Sequence, residues 1–182
     1  LSIRKEGNTP AWGAVYEQYF QEIDKVKGQK GVLSVEKKLF VETNNGTNRQ
    51  IRPITPEQPL RIGDKVIVRL TIRTDREMNY VFLKDLRAGC FEPADQLSGP
   101  ESRDGIWYYR SPKDVSENFF INRLPEGTFV LEYPVYVSRS GEYAGGISTI
   151  QCMYAPEFVS HTAGESLRTV SYTHLTLPTK RI

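Results

Sequence analysis

Cysteine and histidine are scarce here, at two residues each in 182. Long apolar runs are lacking altogether: no stretch approaches the roughly eighteen residues a membrane helix needs. The chain also has no initiating methionine, no signal segment, no internal repeat and no low-complexity tract. Each shortage removes a class of function. Two cysteines far apart in the chain, Cys90 and Cys152, match no metal-ligand spacing with the few histidines, so no metal is expected. A hydrolytic triad needs an oriented base, ordinarily a histidine. His161 lies in the polar stretch "EFVSHTAGES" and reads as a solvated surface residue. No phosphate-cradling G-x-x-x-x-G-K-[ST] loop occurs. Carboxylate pairs such as Asp75/Glu77 and Asp95/Glu101 read as loop charges. No catalytic residue and no cofactor is therefore expected. The chain opens mid-pattern at Leu1, so the natural N-terminus is read as missing, and the absent targeting signal carries no weight.

Net charge is also small. With 24 basic and 22 acidic residues the chain carries +2. The stretch "VSYTHLTLPT", Val170 to Thr179, matches the translation of a sequencing-library adapter. Residues 169–182 are accordingly expected to be an artefact and disordered. Without Lys180 and Arg181 the counts are 22 and 22, and the net charge is zero. Nucleic acid is not an expected partner. Direct membrane insertion is not expected either. His174 goes with the same stretch, leaving His161 as the remaining histidine.

What is present is alternation. In "KVIVRLTIR" Val66, Val68, Leu70 and Ile72 share one parity, which places them on one face of a strand. Leu33, Val35, Leu39 and Val41 do the same, as do Phe129, Leu131, Tyr133, Val135 and Val137. Pro134 falls on the other parity and suits an edge strand or a bulge, because proline offers no ladder donor. In "ISTIQCMY" the residues Ile150, Cys152 and Tyr154 share a parity. Turn signals separate these runs: the Asn-Gly of "TNNGT", a hairpin signal, and then "RIGDK", "RLPEGT" and "SRSGEY". Short strands between Gly and Pro turns predict an all-β, antiparallel β-sandwich.

One segment divides the rules. "TPAWGAVYEQYFQEIDKVKG" has helical apolar spacing, a Thr9-Pro10 start and a Gly28 stop. Its aromatic composition permits a strand instead. The polar stretch "DKVKGQKG" then reads as a boundary. Among the tyrosines, "DGIWYYR" supplies the clearest candidate for an exposed aromatic patch, at Trp107, Tyr108 and Tyr109. Such a patch could stack a sugar, and an extracellular β-sandwich adhesion or glycan-binding module is the alternative functional reading.

The order of motifs carries a resemblance. Gly63-Asp64 before an alternating strand, the corner "AGCFEP" at Ala88 to Pro93, the turn Leu124 to Thr128 and "MYAP" at Met153 to Pro156 follow one another. In that order they resemble the terminal macroglobulin-type (receptor-binding-like) domain of bacterial alpha-2-macroglobulins, most closely the Bacteroides-type members. The resemblance covers about Gly31 to Arg168. It implies that residues 1–30 end a preceding β domain, with "WGAVYEQYF" as a strand, and that 31–168 form the terminal sandwich.

The resemblance also implies a function. The whole protein would be a non-catalytic, broad-spectrum protease inhibitor that traps its target by conformational enclosure. Such a protein would be periplasmic or at the cell surface, and lipid-anchored. The partners implied are neighbouring domains of the same chain and, through the full-length protein, target proteases. The family's reactive thioester joins a cysteine to a glutamine three places on, in Cys-x-Glu-Gln. Here "CFEP" puts Pro93 where the glutamine would be, and proline has no carboxamide to acylate. Cys90 is not that warhead. It either pairs with Cys152 as a disulfide across adjacent strands or is a small buried thiol. By position in "MYAP", Met153 and Tyr154 would shield a thioester carried upstream; the plainer reading of Tyr154 is a core tyrosine at a strand end.

Overall fold

The computed structural model describes residues 4, 6–10, 12–13, 17–45, 48–55 and 58–171. Their strands, in chain order, are β1 (Ser34–Asn45), β2 (Asn48–Pro53), β3 (Leu60–Arg61), β4 (Lys65–Thr74), β5 (Met78–Leu86), β6 (Phe91–Pro93) and β7 (Gly99–Arg103). There follow β8 (Ile106–Pro112), β9 (Ser116–Leu124), β10 (Gly127–Val137), β11 (Gly141–Ala144), β12 (Ser148–Cys152), β13 (Ala155–His161) and β14 (Ser166–Val170). Five strands pair in the order β2-β1-β4-β10-β6, and six in the order β13-β12-β5-β9-β8-β7. A small third sheet, β11-β14-β3, holds the one parallel strand pairing among the described residues, β14 with β3.

The alternating runs become the core. Val66, Val68, Leu70 and Ile72 of β4 are buried, as are Leu33, Val35, Leu39 and Val41 in and just before β1. Phe129, Leu131, Tyr133, Val135 and Val137 of β10 join them. From the six-stranded sheet come Val81, Leu83, Phe119 and Ile121, in one continuous cluster with the others. Each large side chain so buried contributes about 1.5–3 kcal/mol. A chain of rings crosses between sheets: Tyr108 to Phe119 at 5.7 Å between centroids, and Phe119 to Tyr133 at 6.1 Å. Pro134 sits in a stretch of β10 that β6 does not cover, since β6 pairs only with Val135 to Val137. Its missing donor therefore leaves no ladder bond unmade on that side. β1 and β2 pair as a hairpin up to Asn45 opposite Asn48, and the Gly46-Thr47 turn lies outside the described residues.

A polar node is set into this core. Asp85 is fully buried and accepts hydrogen bonds from Lys37 Nζ at 2.8 Å, from Ser148 Oγ at 2.7 Å and from the Tyr133 hydroxyl. Lys37 also donates to the carbonyls of Leu86 and Gly145, at 2.9 and 3.2 Å. That geometry needs Gly146 beside it: a Cβ there would stand 2.1 Å from the Leu86 oxygen. Burial first, then the Asp85 carboxylate, push the Tyr133 hydroxyl well above its ordinary pKa, so it remains a donor. A second buried carboxylate, Glu117, takes Arg87 Nη2 at 3.0 Å and Arg110 Nε at 2.7 Å.

At the two ends the local structure of the described residues differs from what the sequence suggests. Between residues 10 and 27 the described residues form neither a helix nor a strand, apart from one 3-10 turn at Ile23–Lys25. Among the described residues of this segment Trp12, Tyr19, Phe20 and Ile23 are exposed, and a helix of that length is marginal without packing. Among the described residues the segment meets the sandwich near its close, where Ser166 Oγ donates to Asp24, Gly164 N–H donates to Val26 O and Gln29 pairs with His161. At the other end Thr169 and Val170 belong to β14, within the stretch expected to be artefact and disordered. Thr169 is buried and its hydroxyl donates to Arg139 O at 2.8 Å. Residues 172–182 lie outside the described residues.

Truncating the carboxylate in Asp85→Ala leaves the Lys37 ammonium buried without its counter-charge. The expected loss is about 3–5 kcal/mol of unfolding free energy, read from urea denaturation midpoints.

Candidate functional site

The six-stranded sheet turns one face to the core and the other to solvent. On β8 the alternation puts Tyr108 inward and Trp107 and Tyr109 outward. On β9 Phe119 and Ile121 face in and Phe120 faces out. Phe82 of β5 stands opposite Phe120, and Phe120 opposite Tyr109, so register aligns three rings in a row across three strands. Phe82 and Phe120 stack with centroids 4.9 Å apart and planes 24° from parallel. Trp107 lies two residues back on β8, and Tyr80 two back on β5. A shallow cleft of about 480 Å³ opens over this face, lined by Pro100, Trp107, Tyr109, Phe120 and Arg123 among others.

The Met153–Tyr154 turn closes one side of the face. β12 ends at Cys152, and the chain turns before β13. Met153 N–H donates to Tyr80 O at 2.9 Å. The ring of Tyr154 meets that of Tyr80 edge-on, at 5.1 Å and 76°. Met153 is 56% exposed and Tyr154 81% exposed. The plainer expectation of a core tyrosine on the parity of Ile150 and Cys152 is thus corrected, because the strand stops before reaching it. The two residue groups singled out from sequence, one near residue 108 and one at 153–154, share a single surface.

The aromatic patch is corrected in one member. Trp107 is 71% and Tyr109 47% exposed, but Tyr108 is only 7% exposed, since neighbours on a strand face opposite ways. Its hydroxyl donates to Glu101 at 3.0 Å, and burial, then that carboxylate, push its pKa up to about 12. Tyr80, Phe82 and Phe120 were missed. A signal existed: "NYVFLKDL" and "ENFFINRL" carry apolar residues on both parities, which a half-buried strand does not require.

The carboxylates read as loop charges turn out to be held by arginines. Asp75 bonds Arg76, Glu77 bonds Arg123, and both Asp95 and Glu101 reach Arg110. The hydrogen bond from Arg76 holds the Asp75 carboxyl below its ordinary range. His161 pairs through its backbone with Gln29 and places Nδ1 3.1 Å from Thr162 O. Among the described residues no group of three His, Cys, Asp or Glu is placed to hold a metal ion. No helix among them is long and apolar enough to cross a membrane.

Both cysteines are free and buried, so the disulfide alternative is corrected. They do not occupy adjacent strands. Cys152 pairs with Val81 near the start of β5, whereas Cys90 follows the far end of β5 and leads into β6 of the other sheet. Val81 to Leu86 alone spans about 17 Å of extended strand, well beyond the roughly 4.4–6.8 Å between bridged Cα atoms. Cys152 Sγ sits 3.3 Å from Asn79 O, as a weak donor. Burial pushes the Cys90 thiol up to about 11, which removes thiolate at neutral pH. The folded chain should therefore show no disulfide by mass and no Cys90 alkylation at pH 8, with both thiols labelling once denatured.

Comparison with known proteins places these features. A curated Dictyostelium discoideum protein, Circularly permutated Ras protein 2, is 28% identical over 109 residues, or 60% of this chain and 3% of that protein. A crystal structure of Salmonella alpha-2-macroglobulin carrying a tyrosine-to-glycine substitution aligns with TM-score 0.62 and 21% identity, over 79% of this chain and 10% of that one. Native Escherichia coli alpha-2-macroglobulin, from domain MG7 to its C-terminus, aligns with TM-score 0.60 and 16% identity, over 78% and 24% respectively. The chain thus spans a small part of each. At these identities the solved structures establish the fold, a macroglobulin-type β-sandwich. A sequence description of the Bacterial Alpha-2-macroglobulin MG10 domain matches residues 33–157, most of the chain, and the chain belongs to that family.

Proposed function

We propose that this chain is the C-terminal, non-catalytic module of a bacterial alpha-2-macroglobulin-like protease inhibitor that traps proteases by conformational enclosure. In this reading residues 1–30 end a preceding domain, and the parent protein is lipid-anchored in the periplasm or at the cell surface. The module packs against a thioester-type domain through the aromatic face of its six-stranded sheet, with Met153 and Tyr154 covering the reactive bond. The observation that carries this reading is the placement of those two side chains. They stand exposed on a hydrogen-bonded turn, continuous with Tyr80, Phe82, Phe120, Trp107 and Tyr109. A solvated face of that composition fits a surface that another domain covers.

An edge-to-face aromatic pair is worth about 1 kcal/mol, so losing one shifts a covered-to-uncovered equilibrium roughly fivefold. Tyr154→Gly in the full-length protein is expected to raise methylamine incorporation at the thioester by at least about that factor. Unchanged incorporation removes the shielding role. The alternative, an adhesion or glycan-binding module, draws on exposed Trp107 and Tyr109 and is weakened by buried Tyr108. It requires binding to a glycan array that Trp107→Ala abolishes.

A further inference from the structure

The Met153–Tyr154 turn hangs on one residue of β5. Tyr80 has φ +57° in mid-strand, a region that residues other than glycine, asparagine and aspartate seldom enter. Both strands of the pair show the consequence. Along β5 the buried residues Asp85, Leu83 and Val81 are two apart, but the next, Met78, is three away. Along β9 Glu117, Phe119 and Ile121 are two apart, and Leu124 again is three away. Asn79 pairs with Arg123 and Val81 with Ile121, so neither strand has gained a residue over the other. The strands change face together at Tyr80.

That change of face delivers three contacts to the turn. The Tyr80 ring faces outward and meets Tyr154 edge-on. The Tyr80 carbonyl accepts the Met153 N–H at 2.9 Å. The neighbouring Asn79 carbonyl accepts from Cys152 Sγ at 3.3 Å, just where β12 stops. We propose that Tyr80 is the positioning residue of the Met153–Tyr154 turn, and that its left-handed backbone acts as a release point. Rotation of Tyr80 into the extended region withdraws the carbonyl and the ring together and frees the turn. The consequence for shielding rests on the function proposed above; the hold on the turn does not.

The experiment compares the wild-type chain with Tyr80→Asn and Tyr80→Val by amide exchange and by the NMR shifts of the Tyr154 ring. Asparagine tolerates the left-handed region, and β-branched valine resists it. Tyr80→Asn is expected to keep Met153 N–H protection within about twofold while abolishing the ring-current shift on Tyr154. Tyr80→Val is expected to speed Met153 exchange about tenfold or more, with the amides of Leu83 and Phe119 unchanged. Wild-type exchange at Met153 in Tyr80→Val overturns the backbone role. Should that variant not fold, unchanged Tyr154 shifts in Tyr80→Asn overturn the proposal by themselves. In the full-length protein Tyr80→Asn should raise methylamine incorporation as Tyr154→Gly does. If Tyr154→Gly has no effect, the shielding reading falls, and Met153 exchange still decides what Tyr80 does.

Discussion

The buried carboxylate of Asp85 is the constraint on which the rest of this sandwich depends. It belongs to β5 of one sheet, and its donors come from β1 and β10 of the other and from β12 beside it. Four strands are thereby fixed in mutual register at one depth. Apolar contacts alone allow neighbouring arrangements of similar area, whereas an ion pair with two hydroxyl donors is satisfied in one arrangement only. The same node sets where β12 begins, through Ser148, and a five-residue strand then ends at Cys152. The turn that follows is positioned from the core outward.

Much of the fold was legible in the sequence because burial on one face writes itself as period two. β4 and β10 show this best: the alternating apolar residues of both are buried, with Ile67 of β4 buried on the other face as well. The polar node was not legible. Lys37 occupies an inward position of β1, between Val35 and Leu39, where the pattern looks merely interrupted. Nothing local marks Asp85, Ser148 and Tyr133 as its partners, since they come together only when the sheets pack. The helical spacing of residues 12 to 26, set against a strand-prone aromatic composition, decided nothing for a related reason. A periodic apolar face specifies structure only through what covers it, and the sequence of the segment by itself does not name that partner.

The candidate site was half legible. Motif order brought out Met153 and Tyr154, and composition brought out Trp107 to Tyr109, but as unrelated features. Strand pairing makes them one surface, because β5 and β9 lie between them and contribute Phe82 and Phe120. Register across strands is a property of the folded sheet and leaves no signature within any single strand. The same holds for the cysteines. Their separation along β5 follows from topology and disposes of a bridge that chain composition left open.

The two halves of the molecule have different physical tasks, and Tyr80 stands where they meet. Inward, β5 and β9 keep the close-packed cluster of Leu83, Phe119 and Ile121, which resists displacement. Outward, the rings rest on one another with solvent on their other side, so they can be re-covered by another surface at small cost. A residue with φ +57° is held against its own preference, by about 1–2 kcal/mol, only because its neighbours over-determine it. Those neighbours are the flanking pairs Asn79–Arg123 and Val81–Ile121 and the Met153 amide. The strain is anchored by the rigid half and expressed in the exposed half, which is the arrangement a surface needs if docking and release are to differ by one backbone rotation.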